Sequence, residues 1–291
     1  DGGLTIKGSG NIIIRVRDDG IFTLENGTIE SLSIDWHSAI YIEDGGTVNI
    51  NGGAVLDLYN KFSEGAIYAN GGIVTVNVSG GVITGYSHGI KLFHYDSTDS
   101  RSTVTVSGGT ITTTVPETAA QTYGVRVEKG NVKIDGDAEI NALFPVAVDV
   151  GSMDISDGTI NGNLSLDTCP TVISGGTVNG YIDISDTNTV TITGGTFNNI
   201  ILNNCGTVEI SGGTFTSSND VIGLSGCGDT AISGGTFSGS VGINVYSIDS
   251  GKSVSISGDA EIMGTLYGVY GSSSAIIISG KDVAISGEYG L

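Results

Sequence analysis

The chain has 291 residues, 31 of them acidic and 11 basic, for a formal net charge of −20. That acid excess argues against nucleic acid and anionic membranes as partners, since both need a basic patch, and no apolar run approaches the ~18 residues of a membrane-spanning segment. Forty-eight Gly without a Gly-X-Y period, together with 38% hydrophobic residues, fit neither collagen nor a disordered chain.

In chain order, the first elements are degenerate turns at Lys7-Gly8 and Glu25-Asn26-Gly27-Thr28. Clearer copies follow at Ile50-Asn51-Gly52-Gly53, Val78-Ser79-Gly80-Gly81 and Val106-Ser107-Gly108-Gly109-Thr110. Asp135-Gly136-Asp137 and Ser156-Asp157-Gly158-Thr159 are weaker. Four strong copies then end in Thr177, Thr196, Thr214 and Thr236, and two degenerate ones close the series at Ser257-Gly258-Asp259 and Ser279-Gly280-Lys281. Each turn is flanked by β-branched residues alternating with polar ones, the period-2 pattern of a strand. Between Thr103 and Gly130 one unit reads as three short strands: Thr103–Val106, Thr110–Thr112 and Val125–Val127. No stretch has the periodicity of an amphipathic helix. One such unit cannot bury its own apolar face, so units must stack. The expectation is an all-β single parallel β-helix of about 12–13 coils, residues 1–291, with three short strands per coil. Irregular coil lengths argue against the strict six-residue faces of left-handed versions and for a right-handed one.

Coils between residues 26 and 136 take 26 to 28 residues, whereas those between 157 and 212 take 18 or 19. The long-coil half, about 1–136, holds Trp36 and all three His, and nine of the eleven bases precede residue 134. The short-coil half, about 137–291, has thirteen acids and no base between residues 134 and 251. Binding is expected where the extra loop residues are.

The third strand aligns from coil to coil as Ile40-Tyr41-Ile42, Ile67-Tyr68-Ala69, Ile90-Lys91-Leu92, Val125-Arg126-Val127, Val148-Asp149-Val150 and Ile182-Asp183-Ile184. Alternation turns the middle residue outward, which predicts a ladder of Tyr41, Tyr68, Lys91, Arg126 and Asp149. Aromatic rings and cations on a rigid face suit an acidic sugar chain, with rings on apolar sugar faces and cations on carboxylates. The bland alternative is an ordinary surface, since outward strand positions favour Tyr and charges. Trp36, Phe62, Tyr86, Tyr123 and Phe144 enter the same strand, one aromatic per coil, either as part of a platform or packed on the outside of the barrel. The segment Tyr86-Ser87-His88-Gly89 with Phe93, His94, Tyr95, Asp96 and Asp99 is the densest polar and aromatic patch; it adds Tyr86 and His88 to the binding candidates, and His88 with His94 and Asp96 has a further reading as a metal site, against the commoner structural histidine. Cys169, Cys205 and Cys227 share one phase, with Asn188 taking it in the intervening coil, and are expected as buried free thiols without a zinc pattern.

These turns and strands resemble the right-handed β-helix superfamily of pectin and pectate lyases. More narrowly they are similar to the Ser-Gly-Gly-Thr-rich repeats of bacterial cell-surface proteins, some of which bind carbohydrate. The resemblance implies fold more than function, because the superfamily holds lyases, hydrolases, binders and adhesins. Calcium is the metal it implies, and the acid pairs Asp18-Asp19 and Glu43-Asp44 are the places to look, though neither forms the oxygen cage calcium prefers. A lyase would need an acid cluster beside a base resembling Lys91 or Arg126, and a hydrolase two or three carboxylates around the scissile bond. His88-Gly89 and Ile90-Lys91 echo fragments of a hydrolase set, but the matching acids are missing, so no catalytic residue is assigned. The expected protein is an extracellular or cell-surface non-catalytic module that binds polysaccharide on its long-coil half. The alternatives are a structural or adhesin segment of a larger surface protein, and then a lyase or hydrolase. Neither Asp1-Gly2-Gly3 nor Glu288-Tyr289-Gly290-Leu291 reads as a cap, so a longer chain is expected.

Overall fold

A computed structural model of the protein describes residues 4–9, 12–32, 38–59, 64–94, 101–115, 122–271 and 275–289. Among these residues there are thirty-one strands and no helix. The strands pair in parallel, and the fold is a parallel β-helix. The chain divides into two compact units, residues 1–152 with 158–162 and residues 153–157 with 163–291. Both are made from the same three kinds of strand: one that approaches the Gly turn, one that departs from it, and a third that closes the coil.

In the first unit the departing strands put Ile29, Val55, Ile83, Ile111, Ile140 and Ile160 in a single register. All six are fully buried. The approach strands stack Val48, Val76 and Val104 in the same way, and the third strands stack Ile40, Ile67, Ile90 and Val125. A one-residue slip would turn any of these columns outward, so the register is held by apolar burial. Each such side chain contributes about 1.5–3 kcal/mol on leaving water.

The Gly pairs have a steric origin. Gly81 and Gly109 both have φ +78°, and a Cβ added at either would stand 2.7 Å from the backbone carbon of a Gly one rung away. The corner therefore needs Gly both for its left-handed backbone and for the close approach of the next rung.

In the second unit Ile155, Ile173, Ile192, Ile210, Ile232 and Ile256 form one inward column. Phe197, Phe215 and Phe237 form another, with ring centroids 5.0 and 4.8 Å apart. A different corner is built from residues in the left-handed region, with Thr168, Asp186, Asn204 and Gly226 at φ 47–62°. The residue after each of them points inward, and so Cys169, Thr187, Cys205 and Cys227 are all buried. Thr187, not Asn188, occupies the cysteine phase, and Asn188 is exposed. The backbone confirms the offset, since Gly206 N donates to Thr187 O and Gly228 N to Cys205 O. That coil is longer by one residue, enough to move the phase. The three cysteines are free thiols, and Cys205 is pushed up by its hydrogen bond to Cys227 and by burial.

The phenylalanine column has little room to relax, because each ring is fully buried and touches its neighbour. Phe215→Ala is expected to lower the unfolding free energy by about 3–5 kcal/mol, read from the urea midpoint. A loss under about 1 kcal/mol would mean that the stacked rings do not hold this unit together.

Candidate ligand-binding face

The third strands of the first unit carry the predicted ladder from Tyr41 to Arg126 and extend it by one rung, to Arg15. Strand Ile12–Val16 pairs with Ser38–Ile42, which pairs with Gly65–Asn70, then His88–Phe93, then the first half of Tyr123–Ile134. Their registers place Arg15, Tyr41, Tyr68, Lys91 and Arg126 in one outward file. At about 4.8 Å per rung, the file is about 19 Å long. Arg15 lies in Ile14-Arg15-Val16, the same apolar-x-apolar form as its neighbours, and was legible by that signal. The flanking residues of the four following rungs, from Ile40 to Val127, are buried as the alternation requires. Val150 departs from the pattern: it is 38% exposed, so the triplet around Asp149 is not flanked on both sides by core.

The file is a run of cations and rings in contact. The Arg15 guanidinium stands 5.5 Å from the Tyr41 ring centre, and Tyr41 lies 5.7 Å from Tyr68. Lys91 Nζ is 6.0 Å from the Tyr68 ring and 5.8 Å from Phe93. Arg126 sits 4.8 Å over Tyr123. Such contacts fix long side chains that would otherwise lose entropy on binding. Tyr68 is only 8% exposed, so it supports its neighbours instead of offering an open ring, whereas Tyr41 is half-buried.

Carboxylates surround the cations. Arg15 bonds Glu43 at 2.7 Å, and Arg126 bonds Asp149 at 2.8 Å. Glu64 and Glu128 flank Lys91, and the sequence reading missed both. Glu128 is the next outward position after Arg126 and accepts from His94 N at 3.3 Å. Burial pushes both Glu carboxyls up, against the pull of Lys91. The Lys91 ammonium is pushed down by burial and then by Arg126, while Glu128 and Glu64 oppose the shift.

The strand entrance holds a second stack, His88 on Tyr123 at 5.3 Å and Tyr123 on Phe144 at 5.5 Å. His88 is 4% exposed, with Nδ1 3.0 Å from Ser87 Oγ. Its imidazole is pushed down to about 3 by burial, Lys91 and Arg126, so it is neutral in ordinary conditions. His94 follows the far end of the same strand, about 20 Å along an extended chain from His88, and its Nε2 lies 2.9 Å from Ser102 Oγ. The two imidazoles therefore cannot share one metal ion. Tyr86 is half-buried in the bend before His88, and its carbonyl accepts from Val115 N at 3.0 Å. Trp36, His37, Phe62, Tyr95, Asp96 and Asp99 lie outside the described residues.

Asp18, Asp19 and Asp44 converge on one shallow hollow beside Gly45 and Gly72, while Glu43 is turned to Arg15. Among the described residues no group of three or more His, Cys, Asp or Glu is placed to hold a metal ion. No protein family, curated protein or solved structure matches the chain.

The histidine gives the face an acid sensitivity. Its folded pKa lies below its unfolded value, so between about pH 6.5 and 3 the unfolded chain takes up a proton that the folded protein refuses. Stability is full above 6.5 and falls by up to ~1.4 kcal/mol per pH unit below it. His88→Gln is expected to flatten that part of the profile relative to wild type, measured as urea unfolding free energy from pH 7 to 4. Equal slopes in the two proteins would contradict a buried neutral His88.

Proposed function

We propose that the first unit binds an acidic polysaccharide along its third face, as a non-catalytic module working outside the cell, where such polymers lie. The observation that supports this is the in-register file of Arg15, Tyr41, Tyr68, Lys91 and Arg126, rigidly mounted at one rung intervals. Lys91 and Arg126 on adjacent rungs, with Arg15 three rungs from Lys91, would meet carboxylates carried along an extended chain, and the half-buried Tyr41 ring offers an apolar face to a sugar. The parallel β-helix also agrees with the resemblance to pectin and pectate lyases and to surface-protein repeats, which lends the reading support at the level of fold only.

The four carboxylates Glu43, Glu64, Glu128 and Asp149 oppose a polyanion at neutral pH. Glu64 and Glu128 have raised pKa values and take up protons first as the medium acidifies. An ordinary sugar carboxyl, at about 3.5, is still ionised there. Affinity for polygalacturonate, measured by calorimetry, is therefore expected to rise between pH 7 and pH 5 and to fall with added salt. Lys91→Ala and Arg126→Ala are each expected to weaken it about tenfold, or ~1.4 kcal/mol. Absence of binding by the folded protein at both pH values would overturn the proposal and leave the structural or adhesin segment in its place.

A second reading has its own observation behind it. A lysine pushed down beside carboxylates pushed up is the arrangement that proton transfer needs. Lys91, as the neutral amine, would then take the proton α to a uronate carboxylate while the glycosidic C–O bond at the β carbon breaks, leaving a carbon–carbon double bond in the uronate and an alcohol that takes its proton from a neighbouring carboxyl or from water. Formation of unsaturated uronate products from polygalacturonate, lost in Lys91→Ala, distinguishes this from binding alone.

A further inference from the structure

The second unit carries an aromatic and polar arrangement that the first site does not use, and we propose that it is a separate binding site for a neutral polysaccharide. It lies on the third strands Asp220–Ser225, the second half of Thr236–Val245, and the second half of Glu261–Gly271. Gly223, Asn244 and Tyr270 occupy one outward register on successive rungs. Tyr246 follows the middle strand and leans back across this face, with its Cε2 3.4 Å from the position a Cβ would take on Gly223. Its hydroxyl donates to Asp220 Oδ2 at 2.7 Å, and Asn244 Nδ2 donates to the same oxygen at 2.6 Å.

This ring is held at both ends yet is 55% exposed. An exposed tyrosine usually moves among rotamers, and immobilising it on binding costs affinity. Here the tether to Asp220 and the bare backbone at Gly223 fix the ring before any ligand arrives. The bond to Asp220 also pushes the phenol up, so it stays a donor. Asp220 sets a carboxylate, a group that sugar hydroxyls recognise, beside the ring, and Asn244, only 7% exposed, holds that carboxylate in place from below. Two rungs from Gly223, about 10 Å away, Tyr270 is 42% exposed and lies 5.0 Å from Tyr267. Rings at that interval suit an extended sugar polymer that repeats the same face on alternate units.

Charge selects the class of glycan. The second unit holds thirteen acids against two bases, Lys252 and Lys281, and neither base lies on these three strands. A polyanion is repelled from such a surface, whereas a neutral chain is not. The site stands independently of the polyuronate reading above, since it shares no residue with it.

The test is retention in native affinity gels containing hydroxyethylcellulose, glucomannan or mixed-linkage glucan, with polygalacturonate gels run beside them. Wild type is expected to be retarded by at least one neutral polymer. Tyr246→Ala and Gly223→Val, the second of which lifts the ring while suiting a strand, are each expected to weaken that retention about tenfold or more with unchanged melting temperature. Lys91→Ala is expected to leave it intact while losing polygalacturonate. Wild type unretarded by all three neutral polymers, or retardation unchanged in both Tyr246→Ala and Gly223→Val, overturns the proposal whatever happens on polygalacturonate.

Discussion

Parallel stacking at a single rung spacing governs everything else in this protein. Each strand finds partners for its backbone N–H and C=O groups only in the rungs above and below, and every mismatch in register would leave buried groups unpaired. Position is therefore copied from coil to coil. An inward position becomes a column of Ile, Val or Phe, a corner becomes Gly on Gly, and an outward position becomes a file of side chains about 4.8 Å apart. A file of like charges at that distance would repel by about 1 kcal/mol per neighbouring pair even in water. The third face of the first unit limits this by placing Tyr41 and Tyr68 between Arg15 and Lys91, whereas Lys91 and Arg126 stay on adjacent rungs, with Asp149 against Arg126 and Glu64 and Glu128 beside Lys91. The chemistry of the face is thus a response to the constraint of the fold: one cation set apart by rings, and an adjacent pair flanked by acids.

The columns were legible in the sequence because the interior leaves no choice. Apolar-x-apolar triplets recur with a buried residue on each side, and reading them placed Tyr41, Tyr68, Lys91 and Arg126 in their file. Arg15 shows the same triplet and was missed because its coil opens with a degenerate turn. Glu64 escaped for another reason. It stands before its strand, at the end of a connection whose length follows no period, so no repeat predicts that it meets Lys91. Burial of Tyr68 was equally hidden, since an outward position becomes covered only when neighbouring side chains lie over it. The offset between Thr187 and Asn188 shows the limit of counting from the Gly pairs. One extra residue in a coil moves the phase, and only the left-handed residue at each corner marks where the chain turns inward.

The two units use one backbone plan for different surfaces. In the first, the outward file holds bases and rings. In the second, the equivalent positions include Asp183, Ile201, Gly223, Asn244 and Tyr270, with no base among them. Gly223 is the one position of this file without a side chain. Gly is poor in a strand interior because it packs nothing, and the backbone there is not in the left-handed region, so the turn argument that explains Gly81 does not apply. The Tyr246 ring lies over it, with Cε2 3.4 Å from where a Cβ would stand.

Acidity acts on the first unit in two opposed ways. Glu64 and Glu128 bind protons more tightly in the folded protein than in the unfolded chain, so their contribution to stability grows as pH falls toward the ordinary glutamate range. His88 works against folding over the same interval, because its ring refuses a proton until about pH 3. At pH 5 the histidine alone costs about 2 kcal/mol relative to neutral pH, and the two glutamates offset part of it. The same protons remove negative charge from the flanks of Lys91. The stack of His88, Tyr123 and Phe144 holds a neutral imidazole, and the positive field of Lys91 and Arg126, added to burial, is part of what keeps it neutral.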